Sequence, residues 1–445
     1  MRAESALTVQ SGAELRRHAA NARAVERICA AQPVLIDVRP AGDVVPGMTR
    51  ETILTSGAPL PWEAYTGGQR NAIVGGALFE GLASDTAEAA AALAERRIRI
   101  RPCHDHGCVG SVAGIYTVSM PVFVVEDRAS GTRGFCNLFE GPAPARLNYG
   151  VWNDDVRRSL AAIQDVIGPL LGEAVRARGG VPLRPIMRRA LHMGDELHSR
   201  NTAATLLFTR ELFPTLLDLG GARPKEVRQL LDYLAASDYF FLRLSMAASK
   251  VTADAAHGVD GSSVVTAMTF SCRDFAIRVS GLGDAWYRAP LPRVAARVFA
   301  GYTEADVELM GGESVINETV GLGGFAQAAA FALQEYQGGS AAEMAALNQA
   351  MYAITVAEHP EFKIPYLGFR GVPVGIDIHK VVASGITPVM DVGVPGRGGG
   401  QIGAGVLRAP LACFEAAMAA WVDRDRAAGT TCDRAGDGAE GGTSR

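Results

Sequence analysis

Lysine is almost missing from this 445-residue chain: of 43 basic residues, only Lys225, Lys250, Lys363 and Lys380 are not arginine. The formal net charge is −4, so no global field points to nucleic acid or to an anionic membrane surface. What remains is a large stock of guanidinium groups, planar forks that grip carboxylate or phosphate bidentately. No apolar run approaches the roughly 18–20 residues needed to span a bilayer. Aromatics are scarce at 7%, whereas 51 glycines imply many turns that need positive φ or a close backbone approach. The seven cysteines (Cys29, Cys103, Cys108, Cys136, Cys272, Cys413 and Cys432) are scattered, odd in number and not preceded by a signal peptide. That usage predicts free thiols in a soluble, cytoplasmic protein. There is no G-x-x-x-x-G-K-[ST] and no G-x-S-x-G, which argues against P-loop phosphate chemistry and a Ser-His-Asp hydrolase.

The length predicts two or three domains in an α/β chain. Strands are expected at 33–38, 98–102 and 120–126, separated by an Ala-rich helix within 72–97, giving an N-terminal α/β layer domain over 1–150. Residues 1–30 read as an amphipathic helix. Residues 151–258 are helical nearly throughout, with breaks near 180 and 224. Strand character returns at 263–270 and 275–279 in an α+β domain over 259–426, with helices at 325–336, 341–356 and 407–425 and Gly-rich loops between. Residues 427–445 read as a disordered tail.

Four stretches could carry chemistry. Cys103-His104-Asp105-His106-Gly107-Cys108 ends a strand. Its spacing matches no zinc knuckle, so metal is not expected, and a polar pocket using His104 or His106 competes with a structural turn. The second stretch runs from His192 through Asp195, Glu196, His198, Ser199, Arg200 and Asn201. As a continuous helix it would align His192, Asp195, Ser199 and Thr202. It is either a salt-bridged helix, for instance Glu196 with Arg200, or an active-site helix. Asp195-x-x-His198 resembles half of a carboxylate–histidine di-metal motif, but no second copy exists. Third, Glu318 to Ala326 contains G-x-G-x-x-A. No acidic residue follows where a dinucleotide site wants one, so no nicotinamide cofactor is expected, and the amides of Gly321, Gly323 and Gly324 read as an anion cradle. Fourth, two Gly-rich loops carry Arg370 and Asp377, and Arg397 and Gln401, as candidate anion binders, with a set of plain turns as the bland alternative.

Taken in order, these motifs resemble the AllG/YlbE-like family, oxamate carbamoyltransferase subunits formerly classed as a domain of unknown function. The resemblance spans roughly residues 33–420. It rests on Asp37-Val38-Arg39-Pro40-Ala41, Pro102-Cys103-His104-Asp105-His106, Ser119-Met120-Pro121, His192 to Asn201, Glu318 to Gly324, Arg370 to Asp377 and Gln401-Ile402-Gly403-Ala404-Gly405. It implies a subunit acting in allantoin and purine catabolism, by phosphorolysis of oxalurate or a similar N-carbamoyl compound to carbamoyl phosphate. Implied partners are phosphate, a small anionic substrate and other subunits, among them an acyl-CoA-synthetase-like protein. The resemblance carries no catalytic assignment. From residue type alone, His104, His106, His192, Asp195 and His198 are candidates for proton transfer. Arg200, Asn201, Glu318, Gly321, Gly323, Gly324, Arg370, Asp377, Arg397 and Gln401 are candidates for substrate or anion binding. The competing reading is a non-catalytic scaffold subunit. The two divide on whether His104, His192 and Arg370 share one pocket. No cofactor is expected.

Overall fold

The β-branched run after Pro33 forms the strand Pro33–Pro40, antiparallel to both Pro121–Asp127 and Val181–Pro182. Its pairing runs from Pro33 opposite Asp127 to Pro40 opposite Pro121, with a bulge between Leu35 and Asp37. Arg133–Asn137 and then Cys108–Val109 complete a five-stranded sheet. We describe a computed structural model covering residues 12–292 and 295–436, with side chains for all of these except 295 and 427–436. The chain is α/β. Helices Gly168–Ala177, Leu183–His192 and Phe240–Ala255 pack against this sheet, while smaller sheets gather in the C-terminal half.

Several elements differ from the sequence expectation. The helix expected within 72–97 is two helices, Gly67–Phe79 and Thr86–Ala94. Gly81 takes φ +68 between them, and the Asp85 carboxylate caps the second by accepting from Glu88 N (2.8 Å). Residues 325–336 form consecutive 3₁₀ turns, with an α-turn only at Gln334–Gln337. The Asn348 side chain accepts from Ala328 N (3.1 Å) and donates to Phe325 O (2.7 Å), claiming backbone groups that a helix would use internally. Both loops read as Gly-rich are largely strand: Arg370–Ile376 pairs with Thr355–Ile364, and Val389–Pro395 pairs with Gln401–Arg408. Val372, Val374 and Ile376 share one pleat face and are buried, which is what makes the first of them a strand. The N-terminal helix is Gly12–Ala30, and residues 1–11 lie outside the described residues. The last helix, Leu411–Gly436, runs into the stretch expected as a tail, whose remainder also lies outside them.

The buried side chains form three main clusters. One joins the five-stranded sheet to the central helices, one lies in the C-terminal sheets, and one lies around the helices Gly67–Phe79 and Thr86–Ala94. Leu242 of the first, Val392 of the second, and Tyr149 and Met310 of the third line a single cavity of about 380 Å³ where the clusters meet. No helix among the described residues is long and apolar enough to cross a membrane.

Candidate functional site

The segment 193–201 is not helical. Helix Leu183–His192 stops before Gly194, which takes φ +98, and the next helix is Thr202–Gly220. The expected stripe of His192, Asp195, Ser199 and Thr202 therefore does not form. A turn stitched by two acids replaces it. Asp195 accepts from Ala204 N (2.8 Å) in the first turn of the second helix, where a carboxylate satisfies a free amide and meets the positive helix end. Burial pushes its carboxyl up to about 6, partly offset by the Ala204 and Ala203 amides. Glu196 accepts the amides of His198, Ser199 and Arg200, the last at 2.8 Å. The expected Glu196–Arg200 ion pair is absent; the Arg200 guanidinium lies 3.6 Å from Asp195 instead. Leu197 is held at φ +72, a region costly for a side chain with a Cβ, while its carbonyl accepts from Ser245 Oγ (3.0 Å) and Asn317 Nδ2 (2.9 Å).

This turn delivers His198 to the cavity wall. Its Nδ1 donates to Glu318 Oε1 at 2.7 Å, which leaves Nε2 as the nitrogen without a protein partner. Burial alone would lower the imidazole pKa. The charge and hydrogen bond of Glu318, with Asp391 adding to them, outweigh burial and raise it, favouring imidazolium. Glu318 Oε1 also accepts from Gly324 N and Asp391 N, both at 3.0 Å. A Cβ on Gly323 would stand 2.1 Å from that oxygen, so glycine there is a packing requirement. The Gly323 amide donates to Glu196 O (2.8 Å) and that of Gly321 to Glu318 O (3.1 Å). The glycine run thus serves the protein's own oxygens.

Across the cavity stand two arginines that the sequence reading did not select. Arg243, 2% exposed, donates to Asn137 Oδ1 (3.2 Å); with its amide oxygen and nitrogen exchanged, Asn148 bridges the Arg243 Nη2 (3.3 Å) and Glu140 Oε1 (3.1 Å). Arg146 packs over the rings of Tyr149 (4.6 Å) and Phe139 (5.1 Å). Arg146 Nε and Arg243 Nε are buried without a partner, as is Ser237 Oγ on the same wall. Tyr239 and Tyr336 close one side, hydrogen-bonded to each other, and Gln401 donates to the Tyr336 hydroxyl. Val112 lines the opposite side at φ +53. Both Val112 and Leu197 thus store backbone strain at the cavity's edge. A signal for Arg243 was present in the sequence: it interrupts the otherwise apolar Phe240-Phe241-Leu242-Arg243-Leu244, and an arginine is seldom buried without a purpose. Nothing comparable marked Arg146 or Asp391.

Of the sequence candidates, His198 and Gln401 line the cavity, and Glu318 and Gly324 stand directly behind His198. Asn201 supports the turn, donating to His198 O (2.8 Å). The rest lie elsewhere. His104 is buried against Trp286 (5.5 Å) and 3.9 Å from Glu313, with both ring nitrogens unpartnered. Burial, helped by nearby Lys250 and Arg278, keeps it well below the usual imidazole range. His106 is half-buried, and its Nδ1 contacts Pro46 O (2.6 Å). His192 is exposed against Phe369 (5.6 Å). Arg370 lies over Tyr352 (3.5 Å) and pairs with Glu358 (2.8 Å). Asp377 accepts from Ser263 Oγ (2.8 Å) and Asn21 Nδ2 (3.3 Å). Arg397 is 70% exposed. The expected meeting of His104, His192 and Arg370 therefore does not occur, and on that criterion the scaffold reading gains; an enzyme reading has to rest on other residues. Among the described residues, no three His, Cys, Asp or Glu side chains are placed to hold a metal ion. Burial drives the Cys103 and Cys108 thiols well above their ordinary range, against a nucleophilic role.

Arg146, Arg243 and His198 thus line one cavity, and the His198 imidazole is backed by the Glu318 carboxylate. The family model for oxamate carbamoyltransferase subunit AllG matches residues 98–314. The chain is 38% identical over 406 residues to the oxamate carbamoyltransferase subunit AllG of Escherichia coli K12, covering 90% of this chain and 96% of that one. It is 42% identical over 408 residues to the uncharacterized protein YahG of the same organism, covering 91% and 86%. A crystal structure of a conserved protein of unknown function from Enterococcus faecalis V583 superposes with a TM-score of 0.90 at 38% identity, over 93% of this chain and 99% of that one. The chain belongs to the AllG family of oxamate carbamoyltransferase subunits.

Proposed function

We propose that this chain is the substrate-binding subunit of a carbamoyltransferase that phosphorolyses oxalurate, or a closely related N-carbamoyl carboxylate, to carbamoyl phosphate. In this reading it works in the cytoplasm, in allantoin and purine breakdown, beside other subunits, one of them acyl-CoA-synthetase-like. One observation carries the reading: Arg146, Arg243 and His198 line the same cavity. The guanidinium groups hold the anionic reactants, phosphate and the substrate carboxylate. A phosphate oxygen attacks the carbamoyl carbon, the new C–O bond forms and the bond to the amide nitrogen breaks. The departing nitrogen takes the proton from His198 Nε2, while Glu318 fixes the ring through Nδ1. Products are carbamoyl phosphate and oxamate.

The test is to purify the chain with its partner subunits and to measure carbamoyl phosphate formed from oxalurate and phosphate. His198→Gln is expected to lower kcat by about 10²–10⁴-fold, the range for a lost general acid. Arg243→Met is expected to raise the KM for an anionic reactant. Full activity in a folded His198→Gln complex would overturn the catalytic reading and leave a scaffold subunit.

A further inference from the structure

Behind His198 lies a group of buried acids, of which the proposed transfer step uses only Glu318. Glu318 comes from the short helix Ile316–Thr319, Asp391 from the strand Val389–Pro395, and Glu196 from the turn that carries His198. All three are fully buried. Glu318 Oε1 takes three donors, yet its Oε2 has none. Asp391 Oδ1 accepts from Gln327 Nε2, yet its Oδ2 has none. An ionised Asp391 beside the Glu318–His198 pair would be an uncompensated buried charge, which costs far more than retaining a proton.

The charged and titratable neighbours are identifiable from each side. Glu318 and Asp391 act on His198; Glu318 and His198 act on Asp391, with Gln327 and Gln337 as neutral donors; Asp391 and Glu318 act on Glu196. Tyr239, at the cavity, faces Glu196. Burial, then repulsion from Glu318, raises Asp391 to about 7. Burial, then Asp391, raises Glu196 well above the usual carboxylate range.

We propose that Asp391 is a positioning residue for His198: it keeps its own proton, so that the charge of Glu318 is the single one against Nδ1 and the imidazole is held as a competent acid. This rests on the proposed proton transfer only for its catalytic meaning; the coupling itself is a property of the free chain. When Asp391 ionises, a second negative charge strengthens the hold on the imidazolium proton and makes His198 a weaker acid. The geometry thus builds a pH response into the wall of the cavity.

The experiment is ¹⁵N NMR titration of the His198 ring in the whole chain, paired with the pH dependence of kcat in the reconstituted complex. In the unaltered protein His198 is expected to titrate in two steps, as coupled groups do. In Asp391→Asn it is expected to titrate in one step, shifted down by roughly one pH unit, and the corresponding inflection in kcat disappears. A single-step titration in the unaltered protein overturns the proposal even if Asp391→Asn fails to fold. Coincident curves for the two folded proteins overturn it as well. Loss of all transferase activity with the two-step titration intact would sink the carbamoyltransferase reading and leave the coupling standing.

Discussion

Glu196 spends its carboxylate on the three amides that follow it, so its first duty is to shape the turn that presents His198. Glu196→Ala strands those amides in the interior and is expected to cost about 2–3 kcal/mol, read by denaturant unfolding, where a buried unsatisfied group costs about 1–3. A different acid makes the protein's stability depend on pH. Glu313 accepts from Gly57 N (3.2 Å) and Gly110 N (2.8 Å), and burial raises it from 4.5 to about 8 despite those amides. Because the folded state binds this proton more tightly than the unfolded one, its contribution is fully present below about 4.5 and is lost as pH rises through about 8. Thermal unfolding is expected to show a falling Tm across that window, and a smaller fall in Glu313→Gln. At this scale the sequence was partly legible. His198 stood out because two acids, an imidazole and an amide crowded a few positions. Asp391 sits in an apolar strand run, and its meaning arises only from Glu318, 73 positions away.

The elements themselves were easier to read where burial and periodicity agree. The strands at 33–40 and 121–127 and the helices between 154 and 255 declare themselves because apolar residues recur through them at the right spacing or run continuously. The stretches 325–336 and 368–405 misled for opposite reasons. The first is Ala-rich but loses its backbone donors and acceptors to Asn348. The second is Gly-rich but pairs as strands because neighbouring chains approach where a Cβ has no room. Gly324, outside that stretch, meets it in the same way: a Cβ there would lie 2.2 Å from Val389 O. Gly324→Ala must push the strand Val389–Pro395 aside or move the amide that serves Glu318. The expected result is a loss of roughly 1–3 kcal/mol, the usual cost of overpacking, with a lowered His198 pKa as its site-specific signature by NMR.

Across the whole molecule, distant segments are pinned by small polar knots. Asn21 on the N-terminal helix accepts from Ser263 N (2.8 Å) and donates to Ser263 Oγ (2.9 Å) and Asp377 Oδ2 (3.3 Å), tying three regions of the chain together. Asn21→Ala leaves Asp377 and Ser263 short of partners and is expected to cost about 1–3 kcal/mol. Faster amide hydrogen exchange confined to Gly12–Ala30 would show that the knot holds that helix down. Such knots escape a linear reading, since each partner looks like an ordinary turn residue until the fold brings them together.

The cavity draws its lining from Ser111 through Gln401, with His198 in the first third of that span. During synthesis the imidazole therefore leaves the ribosome about two hundred residues before the glutamine that closes the opposite wall. At the usual pace of roughly 5–20 residues per second, the gap is on the order of ten seconds or more. Over that interval no nascent chain can recognise the ligand. Reactants in the cell can stabilise only finished molecules, and cannot template their assembly.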